Sequence, residues 1–173
     1  MAVVSDGVIN AVVSEGVVEA VVSDDVTGDA VSEGVTTVGA SEGVVHVVVS
    51  KGVVLVVVSE GVISVTASEG VIFVTASEGV ISVTASEGVI FVIASEGVIF
   101  VVVSEGVFEA HGAKCVICVK ASEGVAIAAV SEGVTRAGIS KCIVSAKFSK
   151  GIGIAIISKG VRNTNCANEN YLI

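Results

Sequence analysis

Apolar and polar residues alternate along this chain in a nine-residue rhythm that holds for almost its whole length. The rhythm is clearest from Ser59 to Val103, which reads SEGVISVTA, SEGVIFVTA, SEGVISVTA, SEGVIFVIA, SEGVIFVVV. Numbering each unit from its Ser, position 2 is Glu, Asp or Lys, position 3 is nearly always Gly, and position 4 is nearly always Val. Positions 5, 7 and 9 are mostly Ile, Val or Ala. Positions 6 and 8 vary most and carry Asn10, Glu19, His46, Ser64, Glu109, His111, Lys120, Arg136 and Lys147. Period-two alternation over six residues, bounded by a Ser-acid-Gly turn, predicts one strand per unit. Gly at position 3 supplies the positive φ that ends such a turn, and Ser at position 1 can bond the turn backbone. A Gly every nine residues and dense β-branching both oppose helix.

The phase runs from Ser5 to Ser158 without insertion or deletion, Ala113 standing in for one Ser, so the chain holds eighteen units. Residues 1–162 form the repeat region, and 163–173, NTNCANENYLI, a polar C-terminal tail. Two all-β architectures fit: an antiparallel β-meander or sandwich, and a β-solenoid of stacked coils. In a meander closed by this turn, a sheet face would show odd positions from one strand and even positions from the next. Apolar residues at 5, 7 and 9 in unit after unit predict instead a solenoid with one set always inward. Position 6 alternates Ser64, Phe73, Ser82, Phe91, which makes the larger period 18 residues. One coil is then two strands and two turns of a flat two-sheet β-roll. Phe73 is expected to stack on Phe91 on one outer face and Ser64 on Ser82 on the other. Nine such coils, at about 4.8 Å each, give a rod about 43 Å long. Calcium-binding β-rolls with the pattern GGxGxDxUx share the nine-residue period. Here the paired glycines are missing and Asp occurs only at Asp6, Asp24, Asp25 and Asp29, so no calcium chemistry follows.

Composition narrows the class. Hydrophobic residues make up 53% and mean hydropathy is +0.96, too apolar for a charged disordered chain. Trp and Pro are absent, which suits continuous strand ladders. A spanning helix needs about 20 consecutive apolar residues. A charge interrupts nearly every unit, so no membrane span is expected. The start, MAVVSDGV, shows no basic n-region, and the default expectation is an intracellular protein without a secretory signal.

The chemistry-bearing residues are few. His111, Cys115 and Cys118 form H-x3-C-x2-C, and imidazole and thiolate are zinc or redox ligands. A zinc site wants about four ligands, no second CxxC follows, and Cys142 and Cys166 lie far along the rod. In phase, Cys115 and Cys142 occupy the Gly slot and Cys118 an outward position 6, so they read as substitutions in the repeat, with no metal or cofactor expected. Glu60, Glu78 and Glu96 are expected to line one edge, and Glu69, Glu87 and Glu105 the other, as carboxylate ladders suited to divalent cations or a mineral surface. Thr66, Thr75 and Thr84 read as a single threonine column of the kind that orders water.

No catalytic set accompanies His46 or His111, isolated turn glycines do not make a phosphate loop, and a net charge of −9 opposes nucleic acid. Charge is also uneven. Residues 1–58 carry eight acids against Lys51, residues 59–112 seven Glu and no base, and residues 113–173 eight bases against three Glu. The expectation is a non-enzymatic structural protein that associates with itself end to end. A cation- or surface-binding module is the second reading. A translated minisatellite reading frame with no selected function is the third.

Overall fold

A computed structural model describes Ala2–Cys166 and Tyr171–Leu172, all of it extended backbone. A straight strand of those 165 residues would reach roughly 540 Å at about 3.3 Å per residue. It is instead wound into a β-solenoid of about eight turns. No helix long and apolar enough to cross a membrane is present among the described residues.

The winding is made by the glycines. Among the described residues thirteen of them, including Gly16, Gly61, Gly79 and Gly133, have φ between +133° and +159°, and all thirteen stand at position 3. That backbone is essentially closed to side-chain-bearing residues. Stacking adds a second demand. A Cβ on Gly61 would sit 2.0 Å from the Gly43 carbonyl oxygen one coil below, and Gly79 and Gly97 stand in the same relation to Gly61 and Gly79. Turn backbones thus lie directly on one another at intervals of one coil.

The same interval recurs throughout. Phe73 and Phe91 stack with ring centroids 5.0 Å apart and planes inclined by 6°, as the alternation at position 6 predicts. Gly153 pairs with Tyr171 and Ile154 with Leu172 in a parallel ladder, the partners of each pair standing one coil apart in the sequence. Parallel pairing at one-coil spacing excludes the antiparallel meander. The pairing also shows extended structure continuing beyond residue 162, the end of the repeat region. Of the tail, Ala167–Asn170 and Ile173 lie outside the described residues.

The inward set is 5, 7 and 9. Ile63, Val65 and Ala67 are buried, as are Ile72, Val74 and Ala76, and the pattern repeats through Ile99, Val101 and Val103. Ile, Val and Ala recurring at these three positions fill the core in the same way from coil to coil, as close packing requires. Phe108 takes an Ile position and is fully buried, and the next inward residues shrink to Ala110 and Gly112.

Positions 4, 6 and 8 point outward. Units beginning at Ser5, Ser23, Ser41 and every second unit thereafter make a first face, and the intervening units a second. Val at position 4 stays on the surface, exposed at Val17, Val44, Val62, Val80 and Val107. Much of the high mean hydropathy therefore lies outside the core. The threonine column is divided. Thr66 and Thr84 are one coil apart on the first face beside Ser64 and Ser82, whereas Thr75 lies half a coil from each and falls on the second face. The apolar rule at inward positions also has exceptions, because Thr27, Asp29, Thr36 and Thr135 are buried there.

Candidate functional site: the charged edges and outer faces

Position 2 of each unit named below projects from a turn, and stacking arranges these residues in two columns. One runs Glu42, Glu60, Glu78, Glu96, Lys114, Glu132, Lys150; the other Glu15, Glu33, Lys51, Glu69, Glu87, Glu105, Glu123, Lys141, Lys159. Each column is mainly acidic at first and gains lysines later. Among the described residues four Lys–Glu pairs meet across one coil. Lys51 Nζ lies 3.4 Å from Glu69, Lys114 3.2 Å from Glu96, Lys141 2.8 Å from Glu123 and Lys150 3.6 Å from Glu132. The hydrogen bond to Glu96 holds the Lys114 ammonium above its usual pKa, and Glu123 does the same for Lys141. These pairs are exposed, so each contributes little to stability by itself. Their importance is register, since every one joins neighbouring coils.

Glu60, Glu78 and Glu96 do share one edge, and Glu69, Glu87 and Glu105 the other, as the period of the coil requires. Glu96 is taken by Lys114 and Glu69 by Lys51. Among the described residues no three His, Cys, Asp or Glu side chains converge as ligands of one metal ion.

The H-x3-C-x2-C residues are not brought together. His111 stands outward on the second face and its Nε2 is joined to Glu109 Oε1 at 2.7 Å. Cys118 is a half-buried thiol on the first face, at the opposite side of the roll. Cys115 lies between them, buried at the turn, where its Sγ donates to the carbonyls of Ala94 at 3.5 Å and Ser95 at 3.7 Å. Burial pushes the Cys115 thiol up, against the pull of the Lys114 and Ala113 backbone N–H groups, and the nearby Glu96 charge adds to the rise. The residue is thus a buried thiol in a Gly slot. Its accommodation is paired with Gly112, where an added Cβ would fall 2.7 Å from Cys115 Sγ and 2.8 Å from its Cβ. The side chains of Cys142 and Cys166 lie outside the described residues.

Three further features mark the core and surface of the roll. The first is a buried polar group near the beginning of the chain. Both Asp29 carboxylate oxygens and the Thr27 and Thr36 hydroxyls are enclosed without completing a hydrogen bond. Burial raises the Asp29 pKa, and the approach of the Ala11 backbone N–H, short of a completed hydrogen bond, offsets this only in part. The second is the contrast between faces. Leu55, Val57, Phe73 and Ile93 form an exposed apolar stretch on the second face, while Ser64, Thr66, Ser82 and Thr84 occupy the corresponding region of the first.

The third is a pair of open grooves over the later coils. One, about 420 Å³, lies on the first face among Phe100, Cys118, Lys120, Arg136, Gly138 and Ile156. The other, also about 420 Å³, lies on the second face among Ile93, His111, Gly112, Ala129 and Lys147. Their signal in the sequence is a small residue at outward position 8, read from coil to coil.

No protein-family model matches this chain, nor does any curated protein or solved structure.

Proposed function

We propose that the chain is a structural repeat protein that assembles with further copies of itself along the solenoid axis. The observation that carries this reading is the coil-to-coil contact of Lys on Glu, made four times within the molecule. A coil offers the same parallel backbone edge and the same turn columns to whatever stacks next to it. The acidic columns of residues 1–58 and the basic excess of residues 113–173 are complementary across a head-to-tail junction. Such a contact is heterologous and lengthens without closing.

Sedimentation and electron microscopy of the purified chain test the reading. Filaments are expected at low salt, shortening as salt screens the ends. Charge reversal at Lys141, Lys150 and Lys159 to Glu should shorten them at low salt. A strict monomer at high concentration and low salt overturns the proposal.

A second reading, cation binding at the edges, is supported by the run Glu42, Glu60, Glu78, where no Lys interrupts three stacked acids. Calcium then raises the melting temperature of the parent, and the increment is lost in Glu60→Gln/Glu78→Gln.

A further inference from the structure

The groove on the first face brings two cations, Lys120 and Arg136, to a notched floor. Its walls follow two outward columns. Position 6 runs Phe100, Cys118, Arg136, and position 8 runs Val102, Lys120, Gly138, Ile156. Gly138 interrupts the second column. A Cβ placed there would meet nothing within 4 Å, so the missing side chain leaves a notch between Lys120 and Ile156. Ser122, Ser140 and Ser158 stand along the rim.

The two cations at this notch are unlike the lysines of the edges. Lys51, Lys114, Lys141 and Lys150 each have a carboxylate one coil away. Among the described residues Lys120 and Arg136 pair with none, and their own columns offer none. The neighbours one coil away are Val102 and Gly138 for Lys120, and Cys118 and Ile154 for Arg136. A chain with a net charge of −9 thus carries a concave surface where two unpaired cations are flanked by an aromatic ring on one side and an aliphatic chain on the other. Its volume is within the range of small-molecule sites. A guanidinium presents a fork matched to a carboxylate, and Lys adds a point charge beside it. Phe100, Val102 and Ile156 take an apolar body.

We propose that this groove binds an amphipathic organic anion, a carboxylate attached to an alkyl or aryl body. The carboxylate is held by Arg136 and Lys120 with the rim hydroxyls, and the body lies over Phe100 and Val102. This does not depend on assembly, since the groove is formed within one chain. The apolar share of the lining selects against inorganic anions, and the two cations against neutral lipids.

Cys118 reports occupancy directly because its half-buried thiol lines the groove. The full chain is treated with a maleimide, with and without decanoate, and modification of the Cys118 peptide is followed by mass spectrometry. Calorimetric titration of decanoate into the same samples gives an independent affinity. Decanoate is expected to slow Cys118 modification, while acetate and decanol at equal concentration do not.

Gly138→Val fills the notch with a residue the strand accepts and should abolish both protection and heat. Lys120→Gln/Arg136→Gln should weaken binding by about tenfold or more, as loss of a charge-assisted pair implies. Each variant is compared with its own ligand-free rate, and circular dichroism verifies its fold. Phe91→Ser, on the opposite face, should change nothing. Equal protection by decanol, binding unaffected by Gly138→Val, or loss of binding in Phe91→Ser instead would each overturn the proposal.

Discussion

Glycine in this chain has two different meanings, and the difference is energetic. Gly79 combines a φ of +141° with a Cβ position 2.0 Å from the Gly61 carbonyl oxygen, whereas Gly39 and Gly138 face open space in ordinary extended backbone. Gly79→Ala should lower stability by about 2 kcal/mol or more, because strain and steric overlap add. Gly39→Ala should be neutral or stabilising by about 0.5 kcal/mol through the unfolded state. Thermal or denaturant melts separate the two. Gly112 and Cys115 are coupled by direct contact. Gly112→Ala alone should destabilise, while Gly112→Ala with Cys115→Gly restores the repeat and should recover the loss, a non-additivity that a double-mutant cycle measures. Asp29 is the residue at odds with its surroundings. Burial raises its folded pKa above the usual 3.8, so its contribution is most favourable below the unfolded value and worsens as pH rises through the folded one. Asp29→Val, the residue most common at that inward position, should stabilise the chain by about 1–3 kcal/mol at neutral pH. The gain should shrink towards pH 3, and a gain independent of pH would show that the carboxyl is not the cause.

Each strand is an apolar ribbon held apart from other ribbons by its turns. Val71–Ala76 and Val89–Ala94 are uncharged, β-branched six-residue segments of the kind that form steric zippers. Glu69, Glu78, Glu87 and Glu96 flank them at the turns, and replacing Glu78, Glu87 and Glu96 by Ala should raise aggregation sharply, read by light scattering and thioflavin fluorescence. A triple variant as soluble as the parent would remove the gatekeeper role. The same columns hold a stability lever. Glu78 stacks between Glu60 and Glu96 without a Lys of its own, whereas the mixed part of the column alternates sign. Glu78→Lys should raise the melting temperature at low ionic strength by converting repulsion into attraction on both sides, and the gain should vanish in molar salt.

At the scale of the whole molecule, the long axis has a direction written in charge. Acids dominate the first two thirds and bases the last third, while the backbone interval between coils is the same along the rod. Uniform geometry with graded charge favours head-to-tail order over side-by-side pairing, since lateral contact through the apolar second face would bring the acidic edges of residues 59–112 together. The proposed assembly should therefore weaken with salt. Growth that strengthens with salt would instead place the contact on the exposed Leu55, Phe73 and Ile93 surface.

Strand, turn, inward set and coil length were all legible in the sequence, because each follows from a local periodicity that the backbone enforces residue by residue. Alternation of Ser and Phe at position 6 was enough to reveal the two-unit coil and the Phe73–Phe91 stack. What stacking alone decided is which side chains meet across that interval. The pairing of Lys51 with Glu69 was readable in principle by stepping one coil along the chain, yet the local pattern treats both simply as turn charges. Thr75 separates from Thr66 and Thr84 for the same reason, since one unit is half a coil and lies on the other face. His111, Cys115 and Cys118 are close in sequence but point outward, inward and outward across a turn, so proximity along the chain did not become proximity in space. Asp29 and the groove at Gly138 belong to the tertiary structure as well. A polar residue in an inward register, or a missing side chain between two cations, acquires its consequence only when the neighbouring coil closes over it or leaves it open.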